Sequence, residues 1–360
     1  MDIGFQLRQI CGAFRIPGSM MCFEHIKIGH INQTYKVTFR QPEGDFRCYI
    51  LQKLNTCAFK RPTEVMHNID LITAHLRLKA PDGVALYFHH TEDGKNYVID
   101  GADFWRLCNY IPSVTYGSGA DPVVLMGAAE AFGEFQRMLS DFDASRLYET
   151  ICNFHNTPKR LEQLFADAEA DPMGRAKEVR EELSYLRSVA EDAGRLTRMQ
   201  EAGALPLRVT HNDTKLNNVL FDRDSGKALA VVDLDTVMPG LVAHDFGDAI
   251  RFAANTAAED CPDSERVCCD LEVFRTFAKG FLAKTGDILT PAEKDTLALS
   301  PFVLAVELSG RFLDDYLTGD RYFSTRYPGH NLVRARCQLA LAKDFWRKQD
   351  EMSAIIKSFI

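Results

Sequence analysis

The sequence predicts an α+β chain of two lobes: a small antiparallel β-rich lobe over residues 1–108, then a larger, mainly helical lobe over 109–360. Three observations predict it. Short apolar runs with strand spacing, broken by turn residues, crowd the first hundred residues. Beyond Tyr110 the apolar residues recur at helical spacings of three and four. One short hairpin signal, Val219-Leu220-Phe221 and Leu229 to Val232 around a turn-rich Asp222 to Lys227, lies inside the helical part.

In the first lobe, Cys22 to Ile28, Thr34 to Phe39, Arg47 to Leu54, Val84 to His89, Tyr97 to Ile99 and Phe104 to Leu107 read as strands. One amphipathic helix interrupts them, with Val65, Met66, Ile69, Ile72 and Leu76 on one face. Leu107 to Pro112 reads as the hinge. Asp121-Pro122, a capping residue followed by proline, opens a helix to about Leu139. Ala176 to Met199 carries apolar residues at 179, 183, 186, 190 and 193 and reads as a surface-lying helix. Further helices are expected near 271–284, 291–317 and 332–357. No internal repeat or low-complexity segment is visible.

Composition excludes several classes. At 360 residues and net charge −8, with dispersed basic residues, the chain is not expected to bind nucleic acid. Its ten cysteines form no Cys-x-x-Cys pair and read as reduced thiols. The start lacks a basic-then-apolar signature and no apolar run matches a membrane span, so a soluble cytoplasmic protein is expected. The sequence does not fix oligomeric state, with a monomer favoured.

The chemistry concentrates in Thr210-His211-Asn212-Asp213-Thr214-Lys215-Leu216-Asn217-Asn218-Val219. Roughly twenty residues after Asp213 an apolar run ends on Asp233. A hairpin places the start of its first strand beside the end of its second, which brings Asn218 to Asp233 with Asp213 on the loop entering the same end. Phosphoryl transfer from a magnesium nucleotide needs this set: one carboxylate for the proton of the attacking hydroxyl, an amide oxygen and a second carboxylate for Mg2+. An ordinary polar turn explains any one of these residues but not the set. Lys215 is a candidate for the γ-phosphate, with a salt bridge as the alternative, and His211 a candidate for orienting the loop. Asp235, two residues beyond Asp233, is a candidate second metal oxygen. The tripeptide Asp245-Phe246-Gly247 lies too far downstream for the metal; Asp245 and Asp248 are expected to cap a helix or brace the loop.

Upstream, the turn Gly29 to Tyr35 joins two strands, and its N–H groups, with Gly29 and Thr34, are candidates for nucleotide phosphates. A kinase takes a lysine from its third strand for these phosphates, but here alternation turns Gln52 inward and Lys53 away. Arg311, in the apolar run Leu304 to Phe312, is either a buried ion pair or a substrate ligand; the residues alone favour the ion pair.

The chain resembles the aminoglycoside/choline kinase-like phosphotransferases, a family of protein-kinase-like fold, and most closely the branch acting on N-acetylhexosamines at C1. The resemblance rests on Gly29-His30-Ile31-Asn32, Tyr49-Ile50-Leu51-Gln52, Trp105-Arg106, the Leu207 to Asn218 loop and Asp233 to Gly240. It continues in Asp245 to Asp248, Arg251-Phe252, Arg311-Phe312-Leu313 and Tyr327 to Arg334, while residues 256–270 match only in part. It implies Asp213 as base, Asn218 and Asp233 as Mg2+ ligands, and His30, Phe252, Arg311 and Tyr322 lining the sugar site, so Arg311 becomes a ligand. It also implies ATP-dependent phosphorylation of the anomeric hydroxyl, with adenine at Tyr110 and Ile111. The alternatives are a kinase for an aminoglycoside, choline or methylthioribose, or a non-catalytic kinase-fold binding protein.

Overall fold

The computed structural model describes residues 2–26, 31–117 and 121–360. After α1 (Ile3–Gly12), strands β1 (Ser19–Ile26), β2 (Gln33–Arg40) and β3 (Phe46–Leu54) pair antiparallel in succession. Helix α2 (Pro62–Lys79) then leads to β4 (Val98–Asp100) and β5 (Asp103–Asn109), and β5 docks on β3, giving the order β1-β2-β3-β5-β4.

Strand alternation sorts the side chains into two faces. Tyr35, Val37, Tyr49, Leu51, Trp105 and Leu107 pack beneath Leu7 and Ile10 of α1. Leu54, Phe104 and Cys108 face Val65, Met66, Ile69 and Ile72 of α2. The buried Asn68 of α2 donates to the carbonyls of Val237 at 2.9 Å and Tyr148 at 2.8 Å, which ties that helix to the second lobe. Val84 to His89, expected as a strand, is not one. Phe88 bridges Cys108 alone, because the side chain of Asn109 accepts from Tyr87 N (2.7 Å) and donates to Ala85 O (3.1 Å), replacing ladder bonds.

The second lobe holds α3 (Pro122–Met138), α4 (Thr157–Ala170), α5 (Arg180–Ala193), α6 (Arg195–Glu201) and α7 (Val242–Ala253). It continues through α8 (Leu271–Thr285), α9 (Pro291–Thr296), α10 (Ser300–Thr318), α11 (His330–Arg347) and α12 (Gln349–Lys357). Two short ribbons sit among them: β6 (Arg208–Thr210) with β9 (Met238–Gly240), and β7 (Val219–Phe221) with β8 (Ala228–Val231). Asp121 caps α3 through Val123 N at 2.8 Å, as the Asp-Pro signal required.

Three expected single helices are each divided. The first breaks at Gly194, between α5 and α6. The second breaks at Leu297 to Leu299, where Pro301 fits only the opening turn of α10. The third breaks at Lys348, whose ammonium bonds Cys269 O at 2.7 Å. Helix α7 is not among the expected helices, although His244, Asp245, Asp248 and Arg251 recur along it at helical spacing; nearly every residue of it is buried, these polar ones included. No helix among the described residues is long and apolar enough to cross a membrane. All ten cysteines are free, four of them buried.

Helix α7 carries the residues that brace the catalytic loop, and it packs on α10 through Gly247. A Cβ there would lie 2.7 Å from the backbone carbon and oxygen of Ser300. Gly247→Ala is therefore expected to cost about 1–3 kcal/mol by overpacking, measured by urea unfolding. An unchanged midpoint would show that the two helices separate freely.

Candidate active site

The loop from His211 to Asn218 leaves β6 and enters β7, and its backbone is held from three sides. The carboxylate of Asp245 on α7 accepts from His211 N (2.9 Å), Asn212 N (2.7 Å) and the Gln136 amide of α3 (2.6 Å). Asp248, one turn on, accepts from Thr214 N at 3.0 Å. Thr236 donates to His211 O at 2.6 Å, and the Asn212 amide to Thr236 O at 2.9 Å. These bonds hold Asn212 at a φ of 63°, a left-handed conformation costly for any residue but glycine. Burial pushes the Asp245 carboxyl above its ordinary value against the pull of His211 and the N–H donors. Asp245 and Asp248 therefore brace the loop. His211 joins them, its ring against Phe132 and Phe135 and its Nε2 2.9 Å from Val232 O.

The braced loop presents Asp213. Its Oδ1 lies 2.7 Å from the Lys215 ammonium, and its Oδ2 accepts from the Asn218 amide at 3.2 Å. Burial works against the charged form, but the Lys215 charge and these two donors hold the carboxyl below the usual range. Lys215 is raised in turn, first by Asp213. Asn218 also donates to Asp213 O at 2.8 Å, which fixes its amide nitrogen on the loop and leaves the amide oxygen as its remaining donor atom for a cation.

Asp233 follows β8, and Val232 N donates to Asn218 O at 2.9 Å, so the hairpin brings the two ends together. Asp233 adopts a φ of 62°. Its side chain reaches solvent through the cleft, yet the protein mass around it, then Asp235 and Asp213, push its carboxyl up to about 7. Asp235 is differently placed. One of its oxygens takes the buried Arg106 guanidinium and the other the Asn32 amide at 2.7 Å, so both oxygens expected for metal are already engaged.

Across the cleft, register answers the question of the third strand. Thr34 pairs with Gln52 and Gln52 with Arg106, so these three share the inner face of the sheet. Lys53 points away and meets Asp103 at 2.7 Å. Lys36, also on the inner face, lies over the Tyr110 ring at 4.3 Å. Tyr110 and the buried Ile111 begin the connection between lobes, and Val114 beyond them exchanges backbone bonds with Phe221 of β7 at 2.9 Å each way. Gly29 and His30 fall outside the described residues.

The acceptor candidates separate. Arg311 and Tyr322 line one cleft of about 590 Å3, together with Arg160, Asp314, Asp315 and Phe323. The Arg311 guanidinium stands 5.2 Å from the Phe154 ring, 5.8 Å from Tyr322 and 5.5 Å from Phe323, and forms no ion pair among the described residues. Phe252, at the C-terminal end of α7, packs against the main core of the second lobe, and neither it nor Asp213 lines that cleft.

A profile of the phosphotransferase enzyme family, APH, matches residues 23–266, more than half of the chain. The chain belongs to this phosphotransferase family. Its fold is similar to a microcompartment-associated aminopropanol kinase, at 15% identity over 97% of this chain and 98% of that one, with a TM-score of 0.64. It is similar also to an amicoumacin kinase in complex with AMP-PNP and Ca2+, at 15% identity over 96% and 97%, TM-score 0.61. A third is an aminoglycoside phosphotransferase from Alicyclobacillus acidocaldarius, at 12% identity over 97% and 96%, TM-score 0.59. At such identities the likeness is one of fold: a β lobe, a helical lobe and a cleft between them.

Two groups in the phosphotransferase cleft had no role assigned from sequence, Arg106 and Lys36. Arg106 carried a readable signal, a charge inside the apolar strand run Phe104 to Leu107. Lys36 carried none beyond its strand parity. Among the braces, Asp245 matters most. Asp245→Ala leaves two buried N–H groups without an acceptor, at roughly 1–3 kcal/mol each, so a loss of about 2–6 kcal/mol is expected by urea unfolding. A loss under about 0.5 kcal/mol, the range of ordinary surface changes, would mean that the loop holds its shape without it.

Proposed function

We propose that this phosphotransferase moves the γ-phosphoryl of ATP to the anomeric C1 hydroxyl of an N-acetylhexosamine, GlcNAc or GalNAc, giving the sugar 1-phosphate. The observation that carries the phosphoryl transfer is Asp213, ionised and oriented by Lys215 and Asn218, beside the Asn218–Asp233 pair. The family match supports the same reaction type.

The donor set fits Mg2+. The amide oxygen of Asn218 and the carboxylate of Asp233 are hard oxygen donors, and Mg2+ takes only one or two such protein ligands beside phosphate and water. Asp233, pressed up to about 7 by burial and its carboxylate neighbours, is also a group a cation would relieve. Held there, Mg2+ would neutralise charge on the β- and γ-phosphates. The amicoumacin kinase of similar fold is complexed with AMP-PNP and Ca2+, which supports a nucleotide and a divalent cation here. Gly29, Thr34 and Gln52 would approach the phosphates, with adenine against Tyr110 and Ile111.

The residues divide the work. Asp213 orients the C1 hydroxyl and accepts its proton. Lys215 keeps that carboxylate charged and stands within reach of the transferring group. The anomeric hydroxyl is more acidic than an ordinary alcohol, so orientation and electrostatics carry most of the acceleration.

What favours a neutral sugar over a cationic acceptor is the state of the acids near Arg311. Asp315 spends its oxygens on Arg321 N, Tyr322 N and Phe323 N, at 2.8 to 2.9 Å, and on the Asn331 amide. Asp314 is pushed up to about 7 by burial and by its neighbour Asp167. A cationic acceptor such as an aminoglycoside or choline would meet the like charges of Arg160 and Arg311 in this wall, which a neutral sugar would not. Arg311 and Tyr322, which share this cleft, are the residues we assign to the sugar; Phe252 does not line it, and His30 lies outside the described residues.

An acceptor panel with ATP and Mg2+, with the product linkage read by phosphorus NMR, tests the reading. An N-acetylhexosamine 1-phosphate is expected; turnover confined to an aminoglycoside, choline or methylthioribose would replace the substrate and keep the chemistry. Asp213→Asn is expected to retain nucleotide affinity while kcat falls by roughly two to four orders of magnitude. Near-normal kcat in that variant would remove Asp213 as the base. Arg311→Ala is expected to raise the sugar KM with little change in Tm or in ATP affinity, consistent with its having no ion pair to lose. A large drop in Tm at unchanged sugar KM would make Arg311 part of the scaffold.

A further inference from the structure

Arg106 is the one charged member of the inward row Thr34–Gln52–Arg106, which crosses three adjacent strands. Its side chain is 2% exposed and pairs with Asp235, itself 3% exposed, on the turn that follows Asp233. The same guanidinium donates to Gln52 Oε1 at 3.0 Å, and the Gln52 amide donates to Thr34 Oγ1 at 3.2 Å. The other oxygen of Asp235 accepts from Asn32 at 2.7 Å, and Asn32 accepts from Asn55 N at 3.0 Å. Phe88 lies below the guanidinium at 5.3 Å and excludes water from it. The turn bearing Asp233 is thus bonded to the inner face of the sheet at several points, all through Asp235.

We propose that Arg106 is a positioning residue of the phosphotransfer cleft: through Asp235 and Gln52 it locks the metal-bearing turn at Asp233 to the β lobe, one strand over from the position where other kinases carry a phosphate-binding lysine. The inference rests on the phosphotransfer reading above. A neutral Gln52 on β3 and a buried cation one strand over, in register with it, are the two halves of one exchange. A buried ion pair is weak evidence of stability, since its desolvation offsets its attraction. Its position between the lobes, two residues from Asp233, is better explained by orientation of a metal ligand, as outer partners orient ligands in other metal sites.

The experiment compares binding of a fluorescent ATP analogue with and without Mg2+, alongside a thermal melt, so it needs no acceptor. Arg106→Met alone strands a buried carboxylate and would confound folding with function. The neutral pair Arg106→Gln with Asp235→Asn keeps hydrogen bonding and removes both charges. Its Tm is expected to stay within a few degrees of the parent, while Mg2+-dependent nucleotide affinity falls about 10–100-fold, the usual effect of losing an outer partner of a metal ligand. Affinity without Mg2+ should change little. The transposed pair Gln52→Lys with Arg106→Gln returns a cation to β3 and is expected to recover most of the loss. Wild-type Mg2+ dependence in the neutral pair overturns the inference; should that variant not fold, absence of recovery in the transposed pair overturns it. If the parent itself binds no Mg2+-nucleotide, the phosphotransfer reading fails instead.

Discussion

The catalytic loop depends on one buried carboxylate. Asp245 is desolvated, and burial raises its carboxyl above the ordinary value, working against the charged form that accepts best. The N–H groups of His211 and Asn212 and the amide of Gln136 converge on it and offset that cost. The arrangement is mutual. Without the carboxylate the turn at Asn212 keeps its bonds to Thr236 but loses the acceptor of its two N–H groups, and without the turn the carboxylate keeps only the Gln136 amide. Asp213 inherits its direction from this turn, so the carboxylate we propose as the base is placed by helix α7 although it lies on a loop between strands. Close packing of α7 on α10 at Gly247 extends that dependence to the core of the lobe.

The cleft above the loop is a problem in charge. Asp213 and Asp235 stand near Asp233, and both discourage its ionisation. Two resident cations divide the relief: Lys215 takes Asp213 and the Arg106 guanidinium takes Asp235. Asp233 is left with neither, and it is the carboxylate whose pKa rises. On the proposed reading, that imbalance is what an added cation at Asp233 would relieve. It also explains why a neutral Gln52 on β3 is tolerated, since its amide can accept from Arg106 and donate to Thr34 at once, which a lysine cannot.

Much of this was legible in the sequence, and the unread parts have different causes. The Asp213–Asn218–Asp233 set was readable because a hairpin fixes which ends meet. Gln52 and Lys53 were readable as facing opposite ways from strand parity alone, and the register agrees. Asp235 read as a metal oxygen by the same parity, but its partners Arg106 and Asn32 come from other strands, and no local pattern announces a long-range ion pair. Helix α7 was missed for another reason: its polar stripe of His244, Asp245, Asp248 and Arg251 has helical spacing, but Asp245-Phe246-Gly247 reads as a tripeptide motif instead of as part of that period. The division of the long helical patterns into α9 with α10, and α11 with α12, is quiet, since apolar spacing continues across the breaks.

The acceptor side obeys a different logic from the phosphate side. Around the phosphates, residues are fixed by register and by hydrogen bonds to backbone, so their identities follow from geometry shared across the fold. Around Arg311 the walls come from the end of α10 and the segment before α11, and Asp315 is consumed in shaping that segment by accepting from three successive N–H groups. An acid committed to backbone cannot serve a cationic acceptor. A guanidinium facing three aromatic rings, with no carboxylate of its own, retains donors for the oxygens of a neutral ligand. On the proposed reading, discrimination between acceptors lies less in which residues are present than in which of them the fold has already spent.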